Sequence, residues 1–547
     1  RVSVTDSFFD LGGNSLSAMR LAARAGDALG VDISVRDIFE SPTVRGLVVV
    51  SSGLGVASTP ITAVDPRPQR IPLSFAQQRM WFINQFDPAQ PTYNIPAILR
   101  LRGDLDVPVL RSAVIDVVAR QEILRTSFPS EDGSPYQLIG DMAEFDSRGV
   151  WRTVDTDEEV LAAAATGFDV TREWPLRVAL RGGDGDYLLA VVLPRVGAGV
   201  ESLSSLVADI ITAYTARLAG QEPRWEAPTV QFADYAIWQH EVLGSADDAS
   251  SVVGRQLDYW REHLAGLPDV LELPADRPRP PVASHVGARV TAEIPGPVAQ
   301  RVDALARDLG ASPFMVVHAA LAVLLARLSA TDDIAIATPI SGRAQEVLSP
   351  LIGMFVNTLV LRSAVDPDQP FTALLERTRT DDLDGFAHAD IPFETLVEAL
   401  DPVRSEAFSP LAQVMLNFNP GASIADAEVS IAGLEVSPVA APVVPAQLDL
   451  TVVVSQAASG EGWPVSVLYA TELFDESTIA AFCRRFVAGG GARPADPALG
   501  VGGAPPVGGG EDGPVGAWAG GPVRSAPERS AVDWPAERLG GTSDAVR

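Results

Sequence analysis

Tyr187-Leu188-Leu189-Ala190-Val191-Val192-Leu193, followed by Pro194-Arg195-Val196-Gly197-Ala198-Gly199-Val200, sets the class of the largest region of this chain. The first seven residues form a nearly continuous apolar run, the pattern of a strand buried on both faces. Beyond the second seven, Leu203, Leu206, Val207, Ile210 and Tyr214 follow helical spacing. Residues 194–202 therefore join a core strand to a helix, a position where loops often hold chemistry. Strand and helix patterns mix on both sides of this unit, from Ile71 to about Val487. That mixture predicts an α/β region of two lobes, about residues 71–245 and 255–487. Phe314–Leu328 is strongly apolar, but it is short and carries His318 and Arg327, so it reads as a core helix and not as a membrane span.

Ahead of this region, Asp10-Leu11-Gly12-Gly13-Asn14-Ser15-Leu16 places one hydroxyl where a glycine-flexed loop becomes a helix. Leu16, Met19, Ala23 and Leu29 approximate a helical stripe, which puts Ser15 at the positive N-terminal end, where a phosphate is favoured. A plain helix cap competes with that reading, because serine is favoured there. Ser34 caps a short helix through Phe39, and Ser41-Pro42 opens another. Residues 1–50 thus form a small helical unit, and residues 51–70, rich in Ser, Gly, Thr and Pro, form a linker. At the far end, the helix bearing Ile479, Phe482 and Phe486 should stop near Ala488. Gly489–Pro527 is crowded with Gly and Pro and reads as loop within a tail of residues 488–547.

The 547 residues exceed one ordinary core, and 47% hydrophobic with 20% charged residues supplies enough apolar material for several. A formal charge of -29 disfavours nucleic acid or an anionic membrane as partner. Cys483 is the only cysteine, which excludes an internal disulfide and a cysteine-built zinc site; a reducing cytoplasm fits best.

The longer string Asp6-Ser7-Phe8-Phe9-Asp10-Leu11-Gly12-Gly13-Asn14-Ser15-Leu16 resembles the phosphopantetheine attachment signature of carrier proteins in nonribosomal peptide synthetases. Five strings in the large region resemble, in order, the motifs of condensation domains from the same synthetases: Ser74–Trp81, Arg120–Phe128 with Gln121 where histidine is usual, Phe232–Trp238, Ile352–Thr358 and His388–Glu394. Trp81, Trp238 and Phe355 within them also have a plain reading as core aromatics.

The resemblance implies a multidomain chain: a small all-α carrier of four-helix-bundle type whose first helix would precede residue 1, then an α/β two-lobed region similar to chloramphenicol acetyltransferase. It implies 4'-phosphopantetheine on Ser15, attached by a phosphopantetheinyl transferase. Further implied partners are adenylation and carrier domains and carrier-bound aminoacyl or peptidyl substrates. Trp518–Gly521, Ala536–Leu539 and Asp544–Val546 faintly resemble the start of an adenylation domain.

The family's His-His-x-x-x-Asp-Gly motif falls on residues 194–200. Its first two histidines, aspartate and glycine are replaced by Pro194, Arg195, Gly199 and Val200. An imidazole exchanges protons near neutral pH, whereas a guanidinium stays protonated. None of His240, His263, His285, His318 and His388 lies in this loop, and His240 and His388 read as structural. The expected activity, amide formation between carrier-bound donor and acceptor, is therefore in doubt. The alternative is an inactive scaffold that docks carriers or a tailoring enzyme.

Overall fold

The apolar run of residues 187–193 is an inner strand, as its lack of polar alternation requires. The computed structural model describes residues 3–495 apart from 10, 12, 14, 32, 52–58, 344, 421–428, 432, 442–443 and 459. It places the run in a six-stranded sheet ordered β9 (Val429–Ile431), β10 (Leu434–Pro438), β1 (Asn94–Arg102), β4 (Asp186–Pro194), β3 (Arg177–Gly183) and β2 (Trp151–Thr153). β4 lies antiparallel between β1 and β3, with Asn94 opposite Pro194 and Arg177 opposite Val192. From Leu188 to Pro194 it is buried throughout.

A seven-stranded sheet forms the second lobe, ordered β7 (Asn357–Ala364), β6 (Asp333–Ile340), β8 (Val414–Pro420), β12 (Leu450–Gln456), β13 (Trp463–Ala470), β5 (Val286–Ile294) and β11 (Val444–Pro445). The helix expected at 314–328 spans Pro313–Ser329, opened by a Ser312 cap, and its side chains are mostly buried in this lobe's core. Among the described residues no single helix is long and apolar enough to cross a membrane.

The division into 71–245 and 255–487 is crossed in two places, the first by Leu348, Leu351, Ile352, Met354 and Phe355, which are buried in the first lobe's core. At the second, β9 and β10 leave the second lobe and join the first lobe's sheet, where Leu99 of β1 opposes Pro438 and Arg102 opposes Glu435. Sequence periodicity gives a strand its faces but not its partner, so this crossing has no local signal.

The N-terminal unit holds α1 (Ser15–Leu29), α2 (Val35–Glu40) and α3 (Val44–Ser51). Ser34 caps α2 in a reciprocal box with Asp37. α3 starts later than Ser41-Pro42 suggests. The Ser41 N–H closes α2 by donating to the Asp37 carbonyl at 2.8 Å, and Thr43 Oγ1 accepts from the Gly46 N–H at 3.0 Å. Ala18, Ala22, Ile38, Phe39 and Leu47 are buried and continuous with the second lobe's core. Leu11, Leu29, Val44, Val48 and Val49 are exposed.

The C-terminal helix also departs from expectation. It runs from Glu476 to Ala495, through Gly489, Gly490 and Gly491. Each glycine costs about 1 kcal/mol relative to alanine, a weak signal that a helix docked through Ile479, Phe482, Cys483 and Phe486 overrides. The rest of the Gly/Pro-rich tail and the three adenylation-like strings lie outside the described residues.

α2 packs on α8 (Phe371–Ala387), where Arg36 meets Asp384 at 2.5 Å. On the same helix, burial first and then neighbouring Asp382 push the Asp381 carboxyl up to about 6, with Arg377 and His318 opposing. A carboxyl whose folded pKa is raised holds its proton more tightly in the native state, so stability is lost as pH rises from about 4 through about 6. Asp381→Asn is expected to raise the melting temperature at pH 8, with the gain shrinking as pH falls from 6 toward 4. A gain that does not vary with pH rejects this assignment.

Candidate functional site

Residues 194–200 leave β4 as a tight, packed loop. The Arg195 N–H donates to the Tyr93 carbonyl at 2.9 Å, the Gly197 N–H to Pro194 at 2.9 Å, and the Gly199 N–H to Gly353 of the other lobe at 2.9 Å. Val196 and Ala198 are buried. A Cβ at Gly197 would stand 2.6 Å from Pro175 Cβ, so the loop requires glycine there. The helix expected from residue 203 is α5 (Ser202–Leu218), which buries Leu206 and Tyr214.

Two of the five strings hold this loop, through Gln77 and Gly353, and the others are tied to neighbouring segments. Gln77, on α4 (Phe75–Phe86), donates from Nε2 to the Val196 carbonyl at 2.9 Å. Gln121, in the place of the usual histidine, donates to Asp209 Oδ2 at 3.2 Å and to Pro350 O at 2.9 Å, and accepts from the Ile352 N–H at 3.1 Å. Asp234, on α6 (Phe232–Leu243), is fully buried and clasped by Arg67 Nε at 2.8 Å and Nη2 at 3.0 Å. Asn357 donates to Ala389 O and Ile391 O at 3.0 and 2.7 Å and accepts from the Phe393 N–H, which links the last two strings. Arg343 lies 4.2 Å from the Phe355 ring centroid and donates to Ser202 Oγ at 3.2 Å. Burial draws its guanidinium down to about 10.

Of the three aromatics read as core, only Phe355 is buried, within a cluster with Phe232 and Tyr235. Trp81 and Trp238 are partly exposed and act as donors, to Phe128 O at 2.8 Å and Thr59 O at 2.9 Å. His240 binds Leu73 O at 2.8 Å, and His388 binds Asp384 O at 2.7 Å while stacking on Tyr259. Both histidines brace backbone away from the loop.

At its start the loop borders a cleft of about 540 Å³, lined in part by Arg79, Tyr93, Pro194, Arg195 and Gln447. Arg195 is partly buried, and its Nη1 donates to Gln447 Oε1 at 3.2 Å. Burial lowers its pKa, and cationic Arg79 lowers it further. A guanidinium still keeps its proton at any working pH and has no acceptor lone pair, so it cannot serve as a base. At Gly199, in the aspartate position, an added Cβ would stand 3.3 Å from Val356 Cγ2. A side chain there requires Val356 to give by a few tenths of an ångström.

The sequence places His285 outside the loop and gives it no role. It lines the same cleft, and its Nδ1–H donates to Ala446 O at 3.2 Å, next to the Gln447 that holds Arg195. Its positive φ of 56° marks an irregular turn just before β5, and no sequence motif flags it.

At its far end the loop meets the N-terminal unit. Glu201 and Arg343 share a cavity of about 220 Å³ with Arg20 and Arg24 of α1. Arg20 reaches Glu201 at 3.9 Å, and Arg24 pairs with Glu346. With Arg36–Asp384, all three contacts set arginines of the small unit against carboxylates of the large one. Single exposed pairs are weak. Arg24→Glu alone is therefore expected to leave the radius of gyration in small-angle scattering unchanged, whereas Arg20→Glu, Arg24→Glu and Arg36→Glu together increase it. No increase in the triple variant means that apolar packing alone holds the unit.

Ser15 is the first residue of α1, and that helix's first turn carries no acidic residue, so the helix end itself favours a phosphate. The preceding turn is fixed by Gly13 N–H donating to Phe8 O at 2.9 Å, and a Cβ at Gly13 would fall 2.3 Å from the Phe8 ring. The phosphopantetheine group thus fits the backbone at this position. Asp10, Gly12 and Asn14 lie outside the described residues.

The condensation-domain family model matches residues 68–489, and that of the phosphopantetheine attachment site matches residues 1–48. A probable non-canonical nonribosomal peptide synthetase, CymA, of Salinispora arenicola is 42% identical over 494 residues, 89% of this chain and 6% of that protein. A dimodular nonribosomal peptide synthase of Bacillus subtilis is 40% identical over 496 residues, 89% of this chain and 21% of that protein. The chain therefore spans a small part of the length of these relatives. Among solved structures, the complex of the X-domain and OxyB from teicoplanin biosynthesis matches with a TM-score of 0.74 and 30% identity, covering 83% of this chain and 99% of that one. The first condensation domain of the calcium-dependent antibiotic synthetase matches in fold, with a TM-score of 0.62 and 22% identity over 79% of this chain and 98% of that one.

Proposed function

Because this chain belongs to the condensation-domain family and opens with a phosphopantetheine attachment domain, we propose that it works within a nonribosomal peptide synthetase as a carrier and its adjoining condensation-type region. Ser15 is the attachment residue. When bound, the group supplies a thiol that holds an aminoacyl or peptidyl unit as a thioester. A phosphopantetheinyl transferase, adenylation domains and a second carrier are the partners this requires.

Within that setting the large region is a docking element with little condensation activity. The observation that carries this reading is Arg195, a permanently protonated side chain at the position where an amine would need a proton acceptor. Gly199 adds no carboxylate, and Gln77, Tyr93 and Gly353 hold the altered loop in one shape. The similarity to an X-domain solved in complex with OxyB supports a region that binds a second protein.

Family membership supports the other reading, residual amide formation through orientation of two thioester-bound units. A single-turnover assay with loaded donor and acceptor carriers separates the two. Product that depends on residues 71–487 defeats the docking reading.

A further inference from the structure

We propose that the cleft beside Arg195 is a carboxylate-binding site for a peptide-like ligand with an apolar body. Arg195 projects its guanidinium to a cleft of about 540 Å³ with a neutral amide, Gln447 Oε1, as its hydrogen-bond partner. Among the described residues no carboxylate forms an ion pair with it. The charged side chain whose field reaches it is cationic Arg79. A partly desolvated cation without a counter-charge is costly, and a planar fork of N–H donors is shaped to accept a carboxylate on two bonds.

The acids that share the cleft are committed elsewhere or lie at its rim. Asp449 is clamped by Arg279, with Nη1 at 2.8 Å. Glu472 accepts from the Ser284 N–H at 2.8 Å, and Asp87 from the Ala89 N–H at 3.1 Å. Glu406 is exposed. None of them forms an ion pair with Arg195, and Arg79 is paired with Glu394 at 3.4 Å.

The ligand's other end is set by the apolar lining. Phe82 and Phe86 meet edge to face at 5.0 Å and are 59% and 75% exposed, which is unusual for phenylalanine, and Phe168 and Phe408 line the same cleft. A ligand joining an acid group to an aromatic or aliphatic body satisfies both ends. The slot that would handle protons with imidazole becomes an anion receptor with guanidinium.

The probes are hippurate and its neutral amide, hippuramide, titrated into the full chain by saturation-transfer difference NMR. Hippurate is expected to bind at least about tenfold more tightly than hippuramide, as for a charge-assisted pair. Arg195→Gln is expected to bring hippurate down to the level of the amide. Gln447→Glu provides a second route that keeps both side chains' sizes and does not depend on folding of the first variant. It sets a carboxylate where Oε1 now lies 3.2 Å from Nη1, and is expected to exclude hippurate to the same degree. Equal binding of acid and amide, no detectable hippurate binding, or unchanged hippurate affinity in Gln447→Glu overturns the proposal.

Discussion

Ser15→Ala is expected to leave the intact mass of the full chain unchanged after incubation with a phosphopantetheinyl transferase and coenzyme A, while the parent chain gains one phosphopantetheine. The effect is all or none, because alanine has no oxygen with which to form the phosphodiester. Backbone geometry should survive the exchange. Alanine is a strong helix former, and the turn ahead of α1 depends on Gly13 and on backbone bonds from Leu11 to Ser7 and from Gly13 to Phe8. Ser15 is the first helical residue, where alanine is well tolerated, and the unit is held by the packing of Ala18, Ala22, Ile38 and Phe39. Modification that persists in Ser15→Ala moves the attachment point elsewhere and removes the carrier assignment of Ser15.

The second large effect concerns the altered loop. With loaded carriers, the full chain is expected to form amide about two to four orders of magnitude more slowly than a relative that keeps a positioned imidazole. Arg195→His alone should recover little of this, because a histidine also needs its orienting neighbours. Gly199→Asp meets an obstacle, since an added Cβ would stand 3.3 Å from Val356 Cγ2. Arg195→His, Gly199→Asp and Val356→Ala together are expected to raise single-turnover rates about a hundredfold over the parent. Should Arg195→Ala slow the parent by a similar factor, Arg195 is itself promoting the reaction and the docking reading fails.

The parts of this fold that could be read from the sequence are those with local causes. β4 is legible because nothing polar interrupts residues 188–193. α2 is legible because Ser34 and Asp37 cap each other, and Arg195 is legible as a departure because five flanking motifs frame the gap. The illegible parts depend on contacts between distant residues or on competition between neighbours. His285 reaches the cleft only because β5 and β11 bring Ala446 beside it. Ser41 loses its role as a helix opener because its N–H is already used by α2. The helix through Gly489 persists because burial at Phe482 and Phe486 outweighs glycine's intrinsic cost.

The strand exchange between the lobes bears on how they can separate. Four residues of β1, Leu99 to Arg102, pair with Pro438 to Glu435 of a segment that otherwise belongs to the opposite lobe. Parting the two halves would load the chain connections that join β9 and β10 to the second lobe, because the ladder fixes these strands in the first lobe's sheet. The cleft beside Arg195 and the cavity beside α1, at the two ends of residues 194–201, are therefore held at a separation that the crossing strands help to set.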